Sequence, residues 1–335
     1  MPKKKVTMTD IAKQLNISTV TVSKALSNKE GVSDTLRQEI LETAFSMGYT
    51  TPSLFQESHT NLTYNVGVIL AKRYLNTSNS FYWHMYQKLV TKFSKHNYSV
   101  ILEVIGKTDE AQCICPNILE NNKVDGIILL GQLNNNYIRS LTTYSLPIVF
   151  LDFYNYQFDM DSIISDNMHG GFQLTQHLID KGHTKIGFVG NIHATSSILD
   201  RYLGYYRCLI ENNLPSSSAW IINDREADGT YIPFELPNDC PTAFVCNCDE
   251  IAFNFITFLR QIGLRVPEDI SVVGFDNYFY SNICSPPLTT ISVDVNTMAE
   301  ACVTTMLHKI STPDFKLGRK IINCTLISGD SVKKL

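Results

Sequence analysis

The chain has 335 residues, of which 44% are apolar and 18% charged, with a formal net charge of −4. That length accommodates about two or three folding units with substantial cores. The acidic balance excludes a protein that coats nucleic acid through bulk charge, so any contact with DNA must come from a local patch.

The first sixty residues are polarised. Through Lys29 the basic residues Lys3, Lys4, Lys5, Lys13, Lys24 and Lys29 meet a single acid, Asp10, whereas from Glu30 to Thr60 Arg37 is outnumbered by Glu30, Asp34, Glu39, Glu42 and Glu57. One end of a small domain is thereby aimed at phosphates. A first helix is predicted with Thr9 as its cap, Asp10 complementing the helix dipole, and Ile11, Ala12 and Leu15 on its buried stripe. Asn16-Ile17 turns the chain. Ser18 is a natural N-cap for a second helix, with Val22, Ala25 and Leu26 on one face and Thr19, Val20, Ser23 and Lys24 on the other. A third helix is capped by Ser33, carries Leu36, Ile40, Ala44 and Met47 inward, and stops at Gly48. Three such helices bury one small core and leave the second protruding, which is the geometry that reads a DNA major groove.

From Tyr64 onward, β-branched runs alternate with amphipathic stretches. Val66-Gly-Val-Ile-Leu precedes a helix over 81–96; Tyr98 to Val104 precedes a helix toward Asn122; Gly126-Ile-Ile-Leu-Leu and Pro147-Ile-Val-Phe-Leu151 follow. A second set begins at Ser162-Ile-Ile, with helices over 170–181, 201–212 and 250–262 between the strands Lys185-Ile-Gly-Phe-Val, Ala243-Phe-Val-Cys and Ile270-Ser-Val-Val-Gly-Phe. Such alternation predicts parallel sheets covered on both faces by helices. Ligands of open α/β sheets sit beyond the carboxyl ends of the strands, so two facing lobes make a cleft. The residues just past each strand are then the candidates: Phe81 and Tyr82, Asp152, Arg201, Cys248 and Asp249, and Asp276. Carboxylates and an arginine suit sugar hydroxyls, and an aromatic ring stacks on a sugar face. Between Asp224 and Pro241 the sequence is short and carries Pro233 and Pro237, so no helix is expected there.

The chain resembles the lactose/galactose repressor (LacI/GalR) family along nearly its whole length. The markers are Asp10-Ile-Ala, Ile17-Ser-x-x-Thr-Val-Ser-Lys-Ala-Leu-Ser-Asn28, Val32 to Arg37, Gly48-Tyr49, His177-Leu-Ile-x-x-Gly-His-x-x-Ile-Gly-Phe-Val-Gly190, Arg201-x-x-Gly-Tyr205, Val266 to Asp276 and Pro287-Leu-Thr-Thr-Ile291. The resemblance implies a small all-α helix-turn-helix domain followed by an α/β core of two Rossmann-like lobes, similar to periplasmic binding proteins. The expected layout is a DNA-binding domain at 1–49, a linker at 50–63 and an effector-binding and dimerisation core at 64–335. One lobe is expected near 64–162 and 295–322, the other near 163–294 and 323–331. By the same resemblance Thr19, Val20 and Lys24 touch base edges while Thr21, Ser23 and Asn28 hold phosphates, with Thr9 and Ser18 at the helix starts, and Arg201 and Asp276 grip the effector.

Three departures from the family stand out. Lys24 replaces a common arginine, so a point charge replaces a planar fork and base discrimination is expected to be weaker. In the linker proline is displaced to Pro52 and Ser58 occupies the place of a leucine that wedges into the minor groove, which leaves two readings: Leu54 or Phe55 as a substitute wedge, or a plain linker whose Glu57 opposes the phosphates. Cys248-Asp249 stands where Asn-Asp is common, which loses an amide.

Other functions lack their signatures. No Gly-x-Gly-x-x-Gly follows a strand and no Gly-x-x-x-x-Gly-Lys-Ser/Thr occurs, so no nucleotide cofactor and no catalytic residue is expected. The nine cysteines are scattered, several in apolar surroundings (Cys208, Cys246, Cys302, Cys324), as in reduced cytosolic proteins. The pairs Cys113/Cys115 and Cys246/Cys248 lack zinc spacing, and no metal is expected. Neither an export signal nor an apolar run of the roughly 18 residues that span a membrane is present, which points to the cytoplasm. The expected protein is a dimeric repressor that binds a pseudo-palindromic DNA operator under control of a small effector, with a sugar favoured. A regulator driven by a protein co-repressor and a cytosolic sugar sensor with weak DNA binding are the alternatives.

Overall fold

The computed structural model describes residues 6–26, 29, 31–47, 49, 62–75, 80–226 and 229–335. The chain divides into two units, Met1–Leu62 and Thr63–Leu335.

In the first unit, α1 (Met8–Gln14), α2 (Thr19–Leu26) and α3 (Asp34–Ser46) enclose Ile11, Ala12, Val22, Ala25, Leu26, Ile40 and Ala44. The cap of α1 is Thr7, not Thr9. The Asp10 carboxylate accepts from the Thr7 amide at 2.9 Å and its hydroxyl at 2.7 Å, a reciprocal capping arrangement that places Thr9 inside the helix. Asn16 turns the chain with φ 55°, a conformation Asn tolerates better than most residues. The Ser18 hydroxyl caps α2 by accepting from the Thr21 amide at 3.0 Å, and Ser33 accepts from Leu36 at 3.4 Å. Gly48 and the linker residues Pro52, Leu54, Phe55 and Ser58 lie outside the described residues.

The second unit holds two six-stranded sheets. The first sheet comprises β1 (Asn65–Ala71), β2 (Ser99–Ile105), β3 (Gly126–Leu130), β4 (Ile148–Leu151), β5 (Asp161–Ser165) and β11 (Arg319–Ile322), in the order β11-β5-β4-β3-β1-β2, all parallel. The second comprises β6 (Ile186–Val189), β7 (Ile221–Ile222), β8 (Ala243–Cys246), β9 (Ser271–Asp276), β10 (Thr289–Val293) and β12 (Cys324–Ile327), in the order β12-β10-β9-β8-β6-β7, with only β12 antiparallel. Central strands such as β1, β3 and β4 are apolar and buried throughout their cores because helices cover both faces.

The helices of the first lobe are α4 (Phe81–Phe93), α5 (Lys107–Ala111), α6 (Asn135–Leu141) and α11 (Val295–Ser311); those of the second are α7 (Asn167–Asp180), α8 (Ser196–Glu211), α9 (Asp249–Gln261) and α10 (Phe279–Ile283). The helix expected to run toward Asn122 is only the short α5. Lobe assignment also changes at one strand: β5 closes the first sheet by pairing with β4, instead of opening the second, so a boundary at 162/163 cuts through it. The chain crosses between lobes after β5, β10 and β11. Asp166 and Asp294 cap the helices that follow the first two crossings, accepting from His169 at 3.1 Å and Thr297 at 2.9 Å. No helix lies between β7 and β8 among the described residues; instead Arg225 and Tyr231 form an isolated antiparallel bridge.

Two further features position function. Asp125 anchors the start of the unit, its carboxylate accepting from the Thr63 amide at 2.7 Å, the Thr63 hydroxyl at 2.9 Å and the Tyr64 amide at 2.8 Å. Helices α7 and α8 meet backbone to backbone: a Cβ on Gly171 would lie 2.2 Å from the Arg201 carbonyl oxygen, and one on Gly204 would lie 1.9 Å from that of Met168. No described helix is long and apolar enough to cross a membrane. A Gly204→Ala substitution is expected to force these helices apart, costing about 1–3 kcal/mol or more. Urea unfolding checks this, and an unchanged midpoint would refute the close approach.

Candidate functional site

The reading helix presents the face expected of it. With Val22, Ala25 and Leu26 buried, Thr19, Val20 and Lys24 are exposed, Val20 to 63%, and Ser23 is half-buried. Thr21 is half-buried and its hydroxyl lies 2.8 Å from that of Ser18, so the two share a hydrogen bond at the helix start. Thr9 is exposed on α1. Asn28 and Leu54 lie outside the described residues. One residue here was not anticipated. Arg37 of α3 donates to the carbonyls of Ala25 at 3.2 Å, Lys29 at 2.9 Å and Val32 at 3.5 Å. It thereby satisfies acceptors at the carboxyl end of α2 and braces that helix on α3. A charge count treats Arg37 as one cation among acids; only the turn of the chain reveals its use.

All seven residues expected to contact a ligand line one cavity of about 110 Å³ at the carboxyl ends of the two sheets, between the lobes. That volume exceeds the roughly 30 Å³ share of a liquid water and falls below the roughly 300 Å³ at which ligand clefts of drug-sized molecules begin.

At its centre is Arg201, 5% exposed. Its Nε donates to Asn167 Oδ1 at 2.8 Å and its Nη1 to the Asn247 carbonyl at 2.6 Å, while the guanidinium lies 3.8 Å from the centre of the Phe275 ring. Nη2 stands 3.5 Å from Asp276 Oδ1, an ion pair without hydrogen-bond geometry. Across the cavity Tyr82 Oη donates to Asp152 Oδ2 at 2.9 Å, and Asp152 Oδ1 has no hydrogen-bond partner. Two carboxylate oxygens, one from each lobe, are therefore buried without a hydrogen bond. Burial raises the carboxyl of Asp152 above its ordinary range, with Arg201 and the Tyr82 hydroxyl opposing. Asp276 is pushed up to about 7 by burial, reinforced by Asp152 and Glu250 and opposed by Arg201.

Asp249 plays a different part. Its Oδ1 accepts from the Thr290 hydroxyl at 2.6 Å and its Oδ2 from the Tyr278 amide at 3.3 Å, so both oxygens are engaged by protein. Gly274 leaves room for it: a Cβ there would stand 2.3 Å from Asp249 Oδ1. Cys248 precedes α9, and burial together with the charge of Asp276 pushes its thiol well up, which keeps it protonated and poorly nucleophilic. Phe81 packs edge-on against Tyr82 and Tyr278, making one aromatic wall.

Several lining residues escaped the sequence. Arg225 pairs with the fully buried Asp224 at 2.6 Å and lies over Tyr231, while Asp224 also accepts from Asn247 Nδ2 at 3.0 Å and the Asn191 amide at 2.8 Å. Arg73 and Tyr74 enter from the first lobe. The amide missing at Cys248 has a counterpart one residue earlier, but Asn247 directs its donors to Val189 and Asp224. No group of three or more His, Cys, Asp or Glu with metal-binding geometry occurs among the described residues.

Sequence comparison agrees with this geometry. Residues 7–52 match the lacI family of bacterial regulatory proteins and residues 175–332 match a periplasmic binding protein-like domain. The transcriptional repressor PurR of Aliivibrio salmonicida is 30% identical over 91% of this chain and 92% of its own length. The chain belongs to the lacI family of bacterial regulatory proteins. The ribose operon repressor of Haemophilus influenzae is 27% identical over 98% of this chain and 99% of its own. Among solved structures, a CelR–cellobiose complex aligns with a TM-score of 0.71 at 18% identity, covering 98% of this chain and 100% of that one. The lac repressor dimer bound to operator and the anti-inducer ONPF aligns at 0.66 and 21% identity over 98% and 100%. A regulator from Enterococcus faecium with bound ribose aligns at 0.65 and 20% over 81% and 99%. As a lacI-family member this protein is a DNA-binding transcriptional regulator and not an enzyme.

The cavity carboxylates have a consequence for stability. Asp276 titrates near 7 when folded against its ordinary 3.8, so the folded state holds that proton more tightly. The stabilisation is complete below about 3.8 and is lost as pH rises through about 7. Asp276→Asn is expected to flatten this decline and to make the ligand-free protein more stable at neutral pH, as read by urea unfolding from pH 4 to 8. Parallel curves for the two proteins would contradict it.

Proposed function

We propose that this regulator is a cytoplasmic homodimeric repressor whose hold on a pseudo-palindromic operator is set by a small polyhydroxylated molecule, a sugar, enclosed between its lobes. The observation that carries this reading is the pair of buried oxygens without hydrogen bonds, Asp152 Oδ1 and Asp276 Oδ1. They are acceptors awaiting donors, and vicinal hydroxyls on a ring supply donors to both while an aromatic wall covers the ring face.

Thr19, Val20 and Lys24 would meet base edges and Thr21, Ser23 and Asn28 phosphates, with Thr9 and Ser18 at the helix starts and Leu54 the minor-groove wedge. Phe81, Tyr82, Asp152, Arg201, Cys248 and Asp276 would surround the effector, with Asp249 shaping the wall. Two reading helices are needed for two half-sites about 34–36 Å apart. Dimerisation is further supported by apolar surface: Trp83 and Val90 share a face of α4 and are 38% and 37% exposed, as Phe279 and Ile283 of α10 are to 36% and 47%. A coupling of roughly 1–3 kcal/mol between sensor and reader would change operator occupancy about 5- to 150-fold.

A thermal-shift screen of neutral sugars on the full chain tests the effector class, since a ligand at about 100 times its Kd adds roughly 2.7 kcal/mol. Asp152→Asn and Asp276→Asn are each expected to weaken the bound sugar about tenfold or more. If no sugar stabilises the protein and only a second protein alters DNA occupancy, the sugar reading falls. Lys24→Ala should abolish selectivity in a footprint at the operator, and retained selectivity would remove Lys24 from the base-reading set.

A further inference from the structure

A second recess lies beside the cavity, with a volume of about 360 Å³. The first lobe contributes Lys72 and Arg73, which follow β1, and Ile105 and Lys107 at the end of β2; the second contributes Gly229, Thr230 and Tyr231. Arg73 and Tyr231 also line the main cavity, so the two spaces share a wall. Every charged side chain lining the recess among the described residues is cationic, in a chain of net charge −4.

The cations differ in how they are held. Arg73 is fixed: Nη1 donates to Glu110 Oε2 at 2.5 Å and Nη2 to Glu110 Oε1 at 3.1 Å and to the Gln132 carbonyl at 2.7 Å. The guanidinium also lies 5.0 Å from the centre of the Tyr74 ring. Lys72 is exposed and makes no salt bridge among the described residues, and Lys107 is likewise exposed. Gly229, at φ 89°, brings the second lobe's backbone against the arginine stem, since a Cβ there would stand 3.0 Å from Arg73 Cδ. The recess is therefore built by both lobes around a guanidinium already oriented.

The main cavity mixes the carboxyls of Asp152, Asp249, Glu250 and Asp276 with the guanidiniums of Arg73, Arg201 and Arg225, whereas the recess is lined by cations without a carboxylate among the described residues. A ligand carrying negative charge can donate hydroxyls to Asp152 and Asp276 while its anionic end points past Arg73 into that basic space. We propose that the recess at Lys72, Arg73 and Lys107 is a second subsite that takes an anionic substituent, a phosphate ester or a carboxylate, of the same effector whose hydroxyls pair with Asp152 and Asp276. Lysines act there as point-charge partners beside the fixed guanidinium. The proposal rests on the sugar reading of the main cavity.

Titration calorimetry on the full chain with glucose, glucose 6-phosphate, glucuronate, ribose and ribose 5-phosphate tests it. At least one charged sugar should bind tenfold or more tightly than its neutral parent, and the phosphate and glucuronate arms identify which anion is preferred. That ratio should fall toward one in a Lys72→Gln/Lys107→Gln double variant, recover in Lys72→Arg/Lys107→Arg, and shrink with added salt. A neutral sugar that binds as tightly as its charged forms, or a ratio untouched by the glutamine substitutions, overturns the subsite while leaving the sugar reading in place. Failure of every sugar, neutral or charged, to bind overturns both.

Discussion

The sensor is organised around one buried cation. Arg201 reaches from α8 to Asn167 at the start of α7, to the backbone after β8, and to Phe275 and Asp276 at the end of β9. Removing a charge from water is costly unless its donors are satisfied and a counter-charge is near. Here neutral acceptors take two of the five guanidinium N–H donors, and the carboxylate stands 3.5 Å from Nη2 without hydrogen-bond geometry. The second lobe's cavity wall is thus assembled by a residue that leaves one of its own interactions unfinished.

Backbone conformation deepens that arrangement. Asp152 and Asp276, each with a buried carboxylate oxygen that accepts no hydrogen bond, both have positive φ, 68° and 114°. Residues other than glycine rarely adopt such angles, and they persist where the surroundings overdetermine them. Strain, desolvation and an oxygen without a hydrogen bond coincide at each position, one per lobe. A ligand that donates to both would relieve costs the folded protein already carries, and its binding is strengthened by that relief.

The sequence made the architecture legible because its signals are local. Apolar runs such as Val66 to Leu70 and Gly126 to Leu130 declare buried parallel strands, and Ser18 before Val22, Ala25 and Leu26 declares a capped helix with one buried face. All seven residues expected at the ligand site reached one cavity because position just past a strand is set by topology alone. What stayed hidden depended on contacts distant in sequence. Thr7 is the true cap of α1 because Asp10 folds back onto it. β5 belongs to the first sheet because its partner is β4, which strand composition cannot reveal. Arg225 went unseen because β7 is only two residues long, too short for any periodicity. The hydrogen bond from Thr290 to Asp249, brought about by β10, likewise joins residues far apart in sequence.

The anchoring of Thr63 and Tyr64 by Asp125 bears on how a signal could travel. The chain leaves the sensor from a fixed post on the first lobe, so the tether toward the reading head is counted from that point. Residues 50–62 lie between Tyr49 and Thr63, and a chain of that length reaches at most roughly 45 Å when fully extended. That bound depends on the number of residues alone, so adding residues between the two units would lengthen the reach without touching either the sensor or the reader.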